Sequence, residues 1–283
     1  MGPLTGKVAL ITGAARGQGR SHALRLAEEG ADIVAVDICA DIPTVPYPGA
    51  TADDLQQTVK GVEEFDVRAL AHQVDVRDSA GLARVVEDAV ARLGHVDIVC
   101  ANAGIGGMGV VWEYSDEEWQ DMIDINLTGV WKTARAVVPQ LIAQGTGGSI
   151  ILTSSVAGRF PIANMGHYTA AKHGVTGVMR SLALELAPYN IRVNSLHPTT
   201  VDTPMVDNPT ARAIFVPHMT NPTKEDAAPV MKGLNALPIP WIESRDVSNA
   251  VAFLVSDEAR FITASTLWID AGASLPFKIP HGA

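Results

Sequence analysis

The sequence contains few of the residues that build disulfide frameworks, metal sites or membrane anchors. Its two cysteines, Cys39 and Cys100, are isolated in apolar, strand-like segments, so we expect inert core thiols and no disulfide framework or zinc knuckle. The eight histidines are scattered without a recognised metal-ligand spacing, and we expect no metal site. No apolar run approaches the roughly eighteen residues that cross a bilayer, and "MGPLTGKVAL" lacks a basic segment followed by an apolar one. These absences favour a cytoplasmic protein with no membrane association.

Positive charge is also scarce. The chain carries 21 lysines and arginines against 31 aspartates and glutamates, a formal net charge of -10. An acidic protein gains nothing from counterion release, which argues against a sequence-independent grip on nucleic acid or anionic lipid. Internal repeats, low-complexity tracts and Gly/Ser/Pro-rich linkers are absent too, and 47% of the residues are apolar. We therefore predict one domain over residues 1–283 with a full hydrophobic core.

The chain does contain a series of short, β-branched runs with longer helical patterns between them. These runs are "KVALIT", "ADIVAVD", "RALAHQVD", "VDIVCANAG", "GSIILTSS", "IRVNSLHP" and "STLWID". They are almost continuously apolar, as expected of parallel strands that helices cover on both sides. The pattern predicts an α/β fold, a single-domain Rossmann-type doubly wound parallel sheet of about seven strands with helices on both faces.

Two irregular stretches interrupt this pattern. The first covers about residues 40–53, and its "CADIPTVPYPGATADD" holds three prolines and a glycine, which predict an inserted loop. The second covers about residues 204–240, is also rich in proline, and carries Phe215, Met219, Met231 and Leu234. Long structureless segments in compact domains are usually functional or disordered, so we predict that this one is a mobile lid over a substrate.

The first strand runs directly into "TGAARGQGR", which holds three glycines before a helix that we expect to begin near Ser21. Glycine permits a tight turn and lets backbone N–H groups approach a pyrophosphate at the positive end of the helix. No Lys-Ser/Thr pair follows the last glycine, so this is not a Walker loop, and a dinucleotide is the favoured ligand. The predicted cofactor contacts in this turn are Gly13, Arg16, Gly17, Gln18 and Gly19.

The second strand ends in Asp37, about twenty residues beyond the last glycine. A carboxylate there can accept hydrogen bonds from both adenosine ribose hydroxyls of NAD, and it repels the 2′-phosphate of NADP. Arg16 is a contrary signal, because its guanidinium could pair with that phosphate. We give Asp37 the greater weight, since a desolvated like-charge contact is strongly unfavourable. NAD is the predicted cofactor, and an NADPH-dependent carbonyl reductase is the nearest alternative.

Tyr168 and Lys172 in "GHYTAAKHG" lie four residues apart, and they project from one face if this stretch is helical. That spacing is common by chance. The chain also has "CANAG" after the fourth strand, "DINLTGVW" around Asn126 and "LTSSVAG" ending the fifth strand. Together, from the glycine turn to "WIDAG" near the end, these motifs resemble those of the classical short-chain dehydrogenases/reductases.

The resemblance implies an enzyme with a defined catalytic set. In that family a Tyr-xxx-Lys pair acts with a serine thirteen residues before the tyrosine and with an asparagine on an earlier helix. The matching positions are Asn126, Ser155, Tyr168 and Lys172. Successive strand residues face opposite sides, so we expect the adjacent Ser154 only to support the site. Since all four positions are filled, a noncatalytic nucleotide-sensing protein on the same fold is the less favoured alternative.

The resemblance also implies cofactor contacts outside the glycine turn. Asp75 and Val76 match positions beside the adenine, and Asn102, Ala103 and Gly104 match the adenosine ribose side. Tyr168 and Lys172 are expected to contact the cofactor as well as the substrate. The family usually has Pro-Gly after the sixth strand, whereas Thr199 follows Pro198 here, which puts Thr199 in doubt. The remaining implied contacts are Pro198, Val201 and Thr203.

The inserted loop and "HPTTVDTPM" resemble the carveol dehydrogenase-like, mycofactocin-coupled members of the family. Some of those members hold NAD almost irreversibly and pass electrons to a separate redox partner. We therefore expect tightly bound NAD and a separate redox partner here. The family commonly forms tetramers through the helices that carry Asn126 and Tyr168 in this chain, which implies a homotetramer.

The expected chemistry is hydride transfer between an alcohol or ketone and the nicotinamide. An ordinary tyrosine has a pKa of about 10, and a nearby cation lowers such a pKa by about 1 to 3. Lys172, with the positive nicotinamide ring nearby, is therefore expected to bring Tyr168 towards working pH. Ser155 is expected to donate to the substrate oxygen, and Asn126 to hold a water. The candidate pocket residues favour an uncharged secondary alcohol or ketone, such as an alicyclic or terpenoid compound. They are Met108, Val110, Val111, Trp112, Phe160, Pro161, Phe215 and Met219.

Overall fold

The computed structural model describes residues 2–275, which form a single sheet of seven parallel strands. The strand order is β3-β2-β1-β4-β5-β6-β7, the doubly wound arrangement that the sequence predicted. The strands are β1 Val8–Thr12, β2 Asp32–Asp37, β3 Ala69–Gln73, β4 Ile98–Ala101, β5 Gly148–Thr153, β6 Ile191–Pro198 and β7 Thr266–Ile269. The two ends of the predicted single domain, Met1 and residues 276–283, lie outside the described residues.

Helices follow the strands and cover both faces of the sheet. They are α1 Gly17–Glu28, α2 Ala52–Glu63, α3 Ser79–Leu93, α4 Asp116–Ile123, α5 Gly129–Gln144, α6 Gly166–Leu186, α7 Pro209–Phe215, α8 Lys224–Lys232 and α9 Ser244–Val255. A π-helical turn, Asp124–Thr128, joins α4 to α5. Helix α1 begins at Gly17, four residues before the predicted start, because the last two glycines of the turn already form its first turn.

The core lies in two layers, one on each side of the sheet. Alternate residues of β1 enter different layers: Ile11 packs with residues of α1 and α9, whereas Leu10 packs with residues of α3, α5 and α6. Both side chains are at most 1% exposed. Because both faces are buried, functional side chains collect at the edge of the sheet, where the carboxyl ends of the parallel strands meet.

The strand order reverses between β1 and β4, and the connections after these two strands leave the sheet in opposite directions. This is the position where open α/β sheets form a ligand crevice. Among the described residues, no helix is both long and apolar enough to cross a bilayer. Within the same range, no cluster of three or more His, Cys, Asp or Glu residues could hold a metal ion.

The two irregular stretches differ from each other. Residues 40–51 contain no helix or strand, and α2 begins at Ala52 behind a capping box formed by Thr51 and Asp54. Residues 204–240 contain α7 and α8, so this segment is more regular than its prolines predicted. Pro209 is compatible with α7 because it occupies the first turn, where its missing N–H is not needed. We refer below to residues 40–51 as the insert and to residues 204–240 as the lid segment.

Candidate active site

The glycine turn after β1 lies directly against the end of β4. A Cβ atom on Gly13, whose φ is +67°, would come within 2.9 Å of the Ala103 Cα. A Cβ atom on Gly19 would lie 2.0 Å from the Gly13 carbonyl oxygen. Neither position has room for a side chain, so the backbone N–H groups at the start of α1 face the crevice unobstructed.

The start of α1 and two polar side chains, Gln18 and Asp37, make this crevice suitable for a dinucleotide. The Gln18 Oε1 atom is shielded from solvent, yet it has no hydrogen-bond partner among residues 2–275. Asp37, at the end of β2, accepts hydrogen bonds from the Ala15 and Cys39 N–H groups, each at 3.0 Å, which hold its carboxylate at the rim. A positive helix end for a pyrophosphate and a fixed carboxylate for a ribose are both present.

Most of the predicted cofactor contacts line this crevice, which we call the main cleft. Pro198 and Val201 are not on its wall: Pro198 ends β6, and Val201 is only 4% exposed and pairs with Ile242. Tyr168 and Lys172 lie beyond its inner end. The predicted residues on the wall are Gly13, Arg16, Gly17, Gln18, Gly19, Asp37, Asp75, Val76, Asn102, Ala103, Gly104 and Thr203.

Arg16 does not point freely into the main cleft. Its Nη1 atom donates to the Gly49 carbonyl oxygen at 3.1 Å, and its Nη2 atom donates to the Pro48 carbonyl oxygen at 2.6 Å. Its guanidinium carbon also lies 5.9 Å from the centre of the Tyr47 ring. The guanidinium of Arg16, which the sequence suggested as a partner for a 2′-phosphate, is therefore hydrogen-bonded to the insert.

The floor of the main cleft is a hydrogen-bonded joint between strand ends. The Thr12 hydroxyl accepts hydrogen bonds from the N–H groups of Asn102 at 3.0 Å and Ala103 at 3.1 Å. The Asn102 amide donates back to the Thr12 carbonyl oxygen at 3.1 Å, and its oxygen accepts from the Thr153 hydroxyl at 3.4 Å. These bonds fix the ends of β1, β4 and β5 relative to one another.

Helix α6 brings Tyr168 and Lys172 to the end of β5, as the four-residue spacing predicted. The Lys172 Nζ atom lies 5.5 Å from the centre of the Tyr168 ring and donates to the Thr153 carbonyl oxygen at 2.8 Å. The Tyr168 hydroxyl lies near the Ser155 side chain, whose hydroxyl acts to lower the pKa of the phenol. The serine, the tyrosine and the lysine therefore form one group.

The neighbouring Ser154 faces the other way. Its hydroxyl donates to the Lys172 carbonyl oxygen at 2.9 Å and is 3.4 Å from the Thr176 hydroxyl oxygen. This geometry agrees with a supporting role, because Ser154 holds the backbone of α6 at the lysine and does not face the cleft.

Asn126 lies in the π-helical turn and is fully buried. Its side-chain oxygen accepts from the Ile105 N–H, and its side-chain nitrogen donates to the Ile105 carbonyl oxygen, both at 2.8 Å. A Cβ atom on Gly104 would be 3.3 Å from the Asn126 oxygen and 3.7 Å from the Lys172 Nζ atom. Asn126 thus secures the loop after β4 close to the lysine, and its water-holding role remains a prediction.

The pKa of Tyr168 departs from the sequence-based expectation. Burial raises the pKa of Tyr168 to about 12, although the Ser155 hydroxyl acts in the opposite direction. In the chain without a cofactor the pKa of Tyr168 therefore moves opposite to the predicted direction, and the part of the prediction that depends on the nicotinamide charge stays a prediction. Burial also lowers the pKa of Lys172 to about 8, which weakens the charge on which that prediction depended.

His167 is a neighbour of the site that sequence reasoning missed. Its Nδ1 atom accepts a hydrogen bond from the Tyr168 N–H at 2.9 Å, and its ring stacks on Tyr114 with the ring centres 3.9 Å apart. The first N–H groups of a helix have no partner within the helix, so His167 satisfies one of them next to the tyrosine. Only its position beside Tyr168 could have drawn attention to it.

The roof of the main cleft contains residues that no motif indicated. The Tyr47 hydroxyl oxygen accepts from the Gly106 N–H at 2.9 Å, which carries the insert across the cleft. Ile42 and Val45 of the insert and Pro204 and Met205 after β6 complete this wall.

The residues predicted to contact the substrate do not form one pocket wall: one packs inside the lid segment and several are exposed. Phe215 packs within the lid segment, next to Val216, Ala227 and Met231, and not towards the main cleft. Trp112 is 84% exposed, and Met108, Val111, Phe160 and Met219 are exposed as well. Thr199 donates from its N–H to the Ile269 carbonyl oxygen and from its hydroxyl to the Asn235 side chain, so it joins β6 to β7 and to the lid segment.

Comparison with known proteins gives consistent matches over the chain. A model of the short chain dehydrogenase family matches residues 7–213. (-)-trans-Carveol dehydrogenase of Rhodococcus erythropolis is 55% identical over 97% of this chain and 100% of its own length. Trans-4-hydroxycyclohexanecarboxylate dehydrogenase of Sinomonas cyclohexanicum is 38% identical over 94% of this chain and 92% of its own length.

A solved structure agrees with these matches. The crystal structure of carveol dehydrogenase from Mycobacterium avium in complex with NAD superimposes with a TM-score of 0.96 at 52% identity, over 97% of this chain and 100% of that chain. The resemblance that the motifs indicated is confirmed. The chain belongs to the short-chain dehydrogenases/reductases, and within them to the carveol dehydrogenase-like type.

Proposed function

We propose that this protein is an NAD-dependent short-chain alcohol dehydrogenase or ketoreductase that acts on an apolar, alicyclic secondary alcohol or its ketone. The observation that carries the proposal is that Ser155, Tyr168 and Lys172 come together next to a cleft whose wall fits a dinucleotide. Relatives named for carveol and for a hydroxycyclohexane carboxylate support the alicyclic substrate class.

The roles of the site residues follow from their contacts. When bound, NAD supplies the hydride acceptor or donor. Tyr168 exchanges the proton with the substrate oxygen, and Ser155 donates a hydrogen bond to that oxygen, where charge develops in the transition state. Lys172, fixed by the Thr153 carbonyl group, keeps a cation beside the tyrosine when it is protonated.

NAD is favoured over NADP by two features of the cleft. The Asp37 carboxylate is held at the rim by two backbone N–H groups, where it would repel a 2′-phosphate. The Arg16 guanidinium is bonded to the carbonyl oxygens of Pro48 and Gly49, which directs two of its five N–H donors to the insert. The NADPH-dependent carbonyl reductase therefore has less support than the NAD enzyme.

The experiment is to denature the purified protein, identify any released nucleotide, and assay alicyclic alcohols with free NAD and with an artificial electron acceptor. We expect NAD as the nucleotide and turnover of apolar alicyclic alcohols with at least one acceptor. Binding of NAD with no turnover of any alcohol or ketone would instead favour the nucleotide-sensing alternative. Preferential binding of NADP would favour the carbonyl reductase.

The insert is the part of the structure that supports slow cofactor exchange and the use of a separate redox partner. Tyr47 and Pro48 cross the main cleft, and both are held from outside the insert. A cofactor beneath them would be released only when these contacts open. Protein that is purified without nucleotide and exchanges added NAD within seconds would exclude this part of the proposal.

The assembly, location and lid belong to the same proposal. Trp131 on α5 is 40% exposed and Leu184 on α6 is 78% exposed, which supports a homotetramer formed through these helices. Both cysteines are free thiols, as is typical of a cytoplasmic protein. The lid segment is proposed to cover the substrate. Light scattering of the eluting protein tests the tetramer, and a monomeric mass would exclude it.

A further inference from the structure

The insert holds a cation that would otherwise face the cofactor. Arg16 lies between Ala15, whose N–H binds Asp37, and Gly17, which begins α1. An arginine at this position is close to where a ribose 2′-phosphate would approach the Asp37 carboxylate. Its guanidinium instead bonds to the carbonyl oxygens of Pro48 and Gly49.

The two carbonyl groups are positioned by the shape of the insert. A Cβ atom on Gly49 would lie 2.2 Å from the Ala40 carbonyl oxygen, so the two ends of the insert meet at a contact that excludes a side chain. The Gly49 N–H donates to the Asp41 carboxylate at 2.7 Å across the same junction. The close contact with Ala40 and the hydrogen bond to Asp41 therefore fix the position of Gly49 and of its carbonyl group.

The far side of the insert is attached independently. The Thr44 hydroxyl donates to the Asp121 carboxylate on α4 at 2.8 Å, and the Tyr47 hydroxyl accepts from the Gly106 N–H at 2.9 Å. Arg16 supplies the attachment on the side of the glycine turn. Its fork of donors suits two adjacent carbonyl oxygens, which a lysine could not satisfy with the same geometry.

We propose that Arg16 is an anchoring residue of the insert and that the insert, by binding its guanidinium, keeps this cation from a 2′-phosphate in an NAD-selective cleft. Selection then has two parts: Asp37 repels the 2′-phosphate, and the insert withholds the arginine that would attract it. This inference rests on the NAD-dependent function proposed above. It predicts that the removal of Asp37 alone yields a poor NADP site.

The first test compares nucleotide binding in an Asp37→Ser background, with and without Arg16→Ala, by isothermal titration of NAD and NADP. If Arg16 is withheld, adding Arg16→Ala changes the NADP dissociation constant by less than about twofold, well below the tenfold that 1.4 kcal/mol produces. A loss of NADP affinity of tenfold or more without a matching loss of NAD affinity would show that Arg16 reads the phosphate, which overturns the inference. If the unmodified protein neither carries NAD after purification nor binds added NAD once freed of nucleotide, it is the proposed function that fails.

The second test measures the anchor itself through hydrogen exchange of residues 40–51 without any nucleotide. Arg16→Ala should accelerate exchange there by about tenfold or more, because the insert opens locally without its attachment. Arg16→Lys should restore the slow exchange only in part, since it keeps the charge but not the fork. Arg84→Ala removes a surface arginine of α3 and is the matched control, with no expected change. Unchanged exchange in Arg16→Ala would refute the anchoring role.

Discussion

The floor and the roof of the main cleft are built from different kinds of contact. The floor joins the ends of β1, β4 and β5 through hydrogen bonds among Thr12, Asn102 and Thr153, and Lys172 bonds to the end of β5. The roof consists of the insert together with Pro204 and Met205. The insert is held by hydrogen bonds to the Arg16 guanidinium, the Gly106 N–H and the Asp121 carboxylate.

The different contacts of the floor and the roof suit them to different roles in catalysis. Floor residues are buried and bond to one another, so a change to one of them displaces the reacting groups of its neighbours. Roof residues belong to segments that few hydrogen bonds fix to the sheet, and such segments open at low cost. We infer that the floor determines the chemistry, whereas the roof determines what enters and how fast it leaves. Substitutions in the two regions should therefore alter different kinetic quantities.

The largest effect is expected in the floor, from Tyr168→Phe. Removing the hydroxyl removes the proton donor and acceptor, so kcat should fall by at least about a thousandfold, within the range attributed to acid–base groups. The phenyl ring keeps the packing, and the NAD dissociation constant should change by less than about twofold, well short of a tenfold shift. Steady-state kinetics and calorimetry measure the two quantities. Full activity in this variant would remove the basis of the proposed mechanism.

The adjacent serines offer a sharper comparison within the floor. Ser155→Ala removes the donor to the substrate oxygen and should lower kcat by about a hundredfold or more. Ser154→Ala removes a bond to the Lys172 carbonyl group, so it should lower the free energy of unfolding by about 1 kcal/mol and change kcat only slightly. Kinetics and urea denaturation of both variants distinguish them. Equal losses of kcat would mean that Ser154 also contacts the reacting atoms.

The positions of the floor residues could be predicted from the sequence, because they depend on where the strands end and on the fixed number of residues between motif positions. A parallel sheet places the ends of β1, β4 and β5 at one edge, and the four-residue step from Tyr168 to Lys172 fixes both on one face of α6. The pKa of Tyr168 could not be predicted in this way. Its direction depends on how deeply the fold buries the phenol, and desolvation outweighs the opposing effect of the Ser155 side chain.

The roof was less predictable, because its contacts join segments that have no fixed spacing in the sequence. Nothing in "CADIPTVPYPGATADD" indicates that Tyr47 reaches the Gly106 N–H or that Pro48 meets Arg16. The prolines predicted irregular structure in both stretches; residues 40–51 contain no helix or strand, whereas the lid segment contains α7 and α8. Pro209 at a helix start is favourable, so proline content alone does not exclude helices.

Two buried histidines, His197 near the active site and His22 on α1, should make the free energy of unfolding fall at acidic pH. Burial lowers the pKa of His197, beneath Ser155, to about 4, and that of His22, between α1 and α9, to about 3. Below pH 6.5 the unfolded chain binds protons that the folded chain does not, so stability falls with falling pH until these lower values are reached. Each histidine should contribute a loss of about 2 kcal/mol between pH 6.5 and 5.

Urea denaturation at a series of pH values measures this loss. His22→Asn keeps a hydrogen-bonding group near Ser248, 2.8 Å from the histidine Nδ1, and removes one titrating group, so its stability should depend less steeply on pH. Its kcat at neutral pH should be unchanged, because His22 lies far from the floor. Identical pH slopes for the variant and the unmodified protein would contradict the assignment of His22.

The smallest effect is expected where the lid segment meets the roof. Lys224 of α8 donates to both carboxylate oxygens of Asp202 at 2.6 Å and lies 4.6 Å from the centre of the Trp241 ring. Since the pair is partly exposed, Asp202→Asn should weaken closure by only about 1 kcal/mol or less.

The expected result for Asp202→Asn is a rise in KM for an apolar alcohol of about two- to fivefold with kcat nearly unchanged, because 1 kcal/mol corresponds to about a fivefold change. The matched control is Lys7→Met, which breaks the 3.3 Å pair with Asp97 at the opposite edge of the sheet and should leave KM unaltered. A fall in kcat at constant KM for Asp202→Asn would place this contact with the floor, and the division of tasks between floor and roof would then fail at the lid.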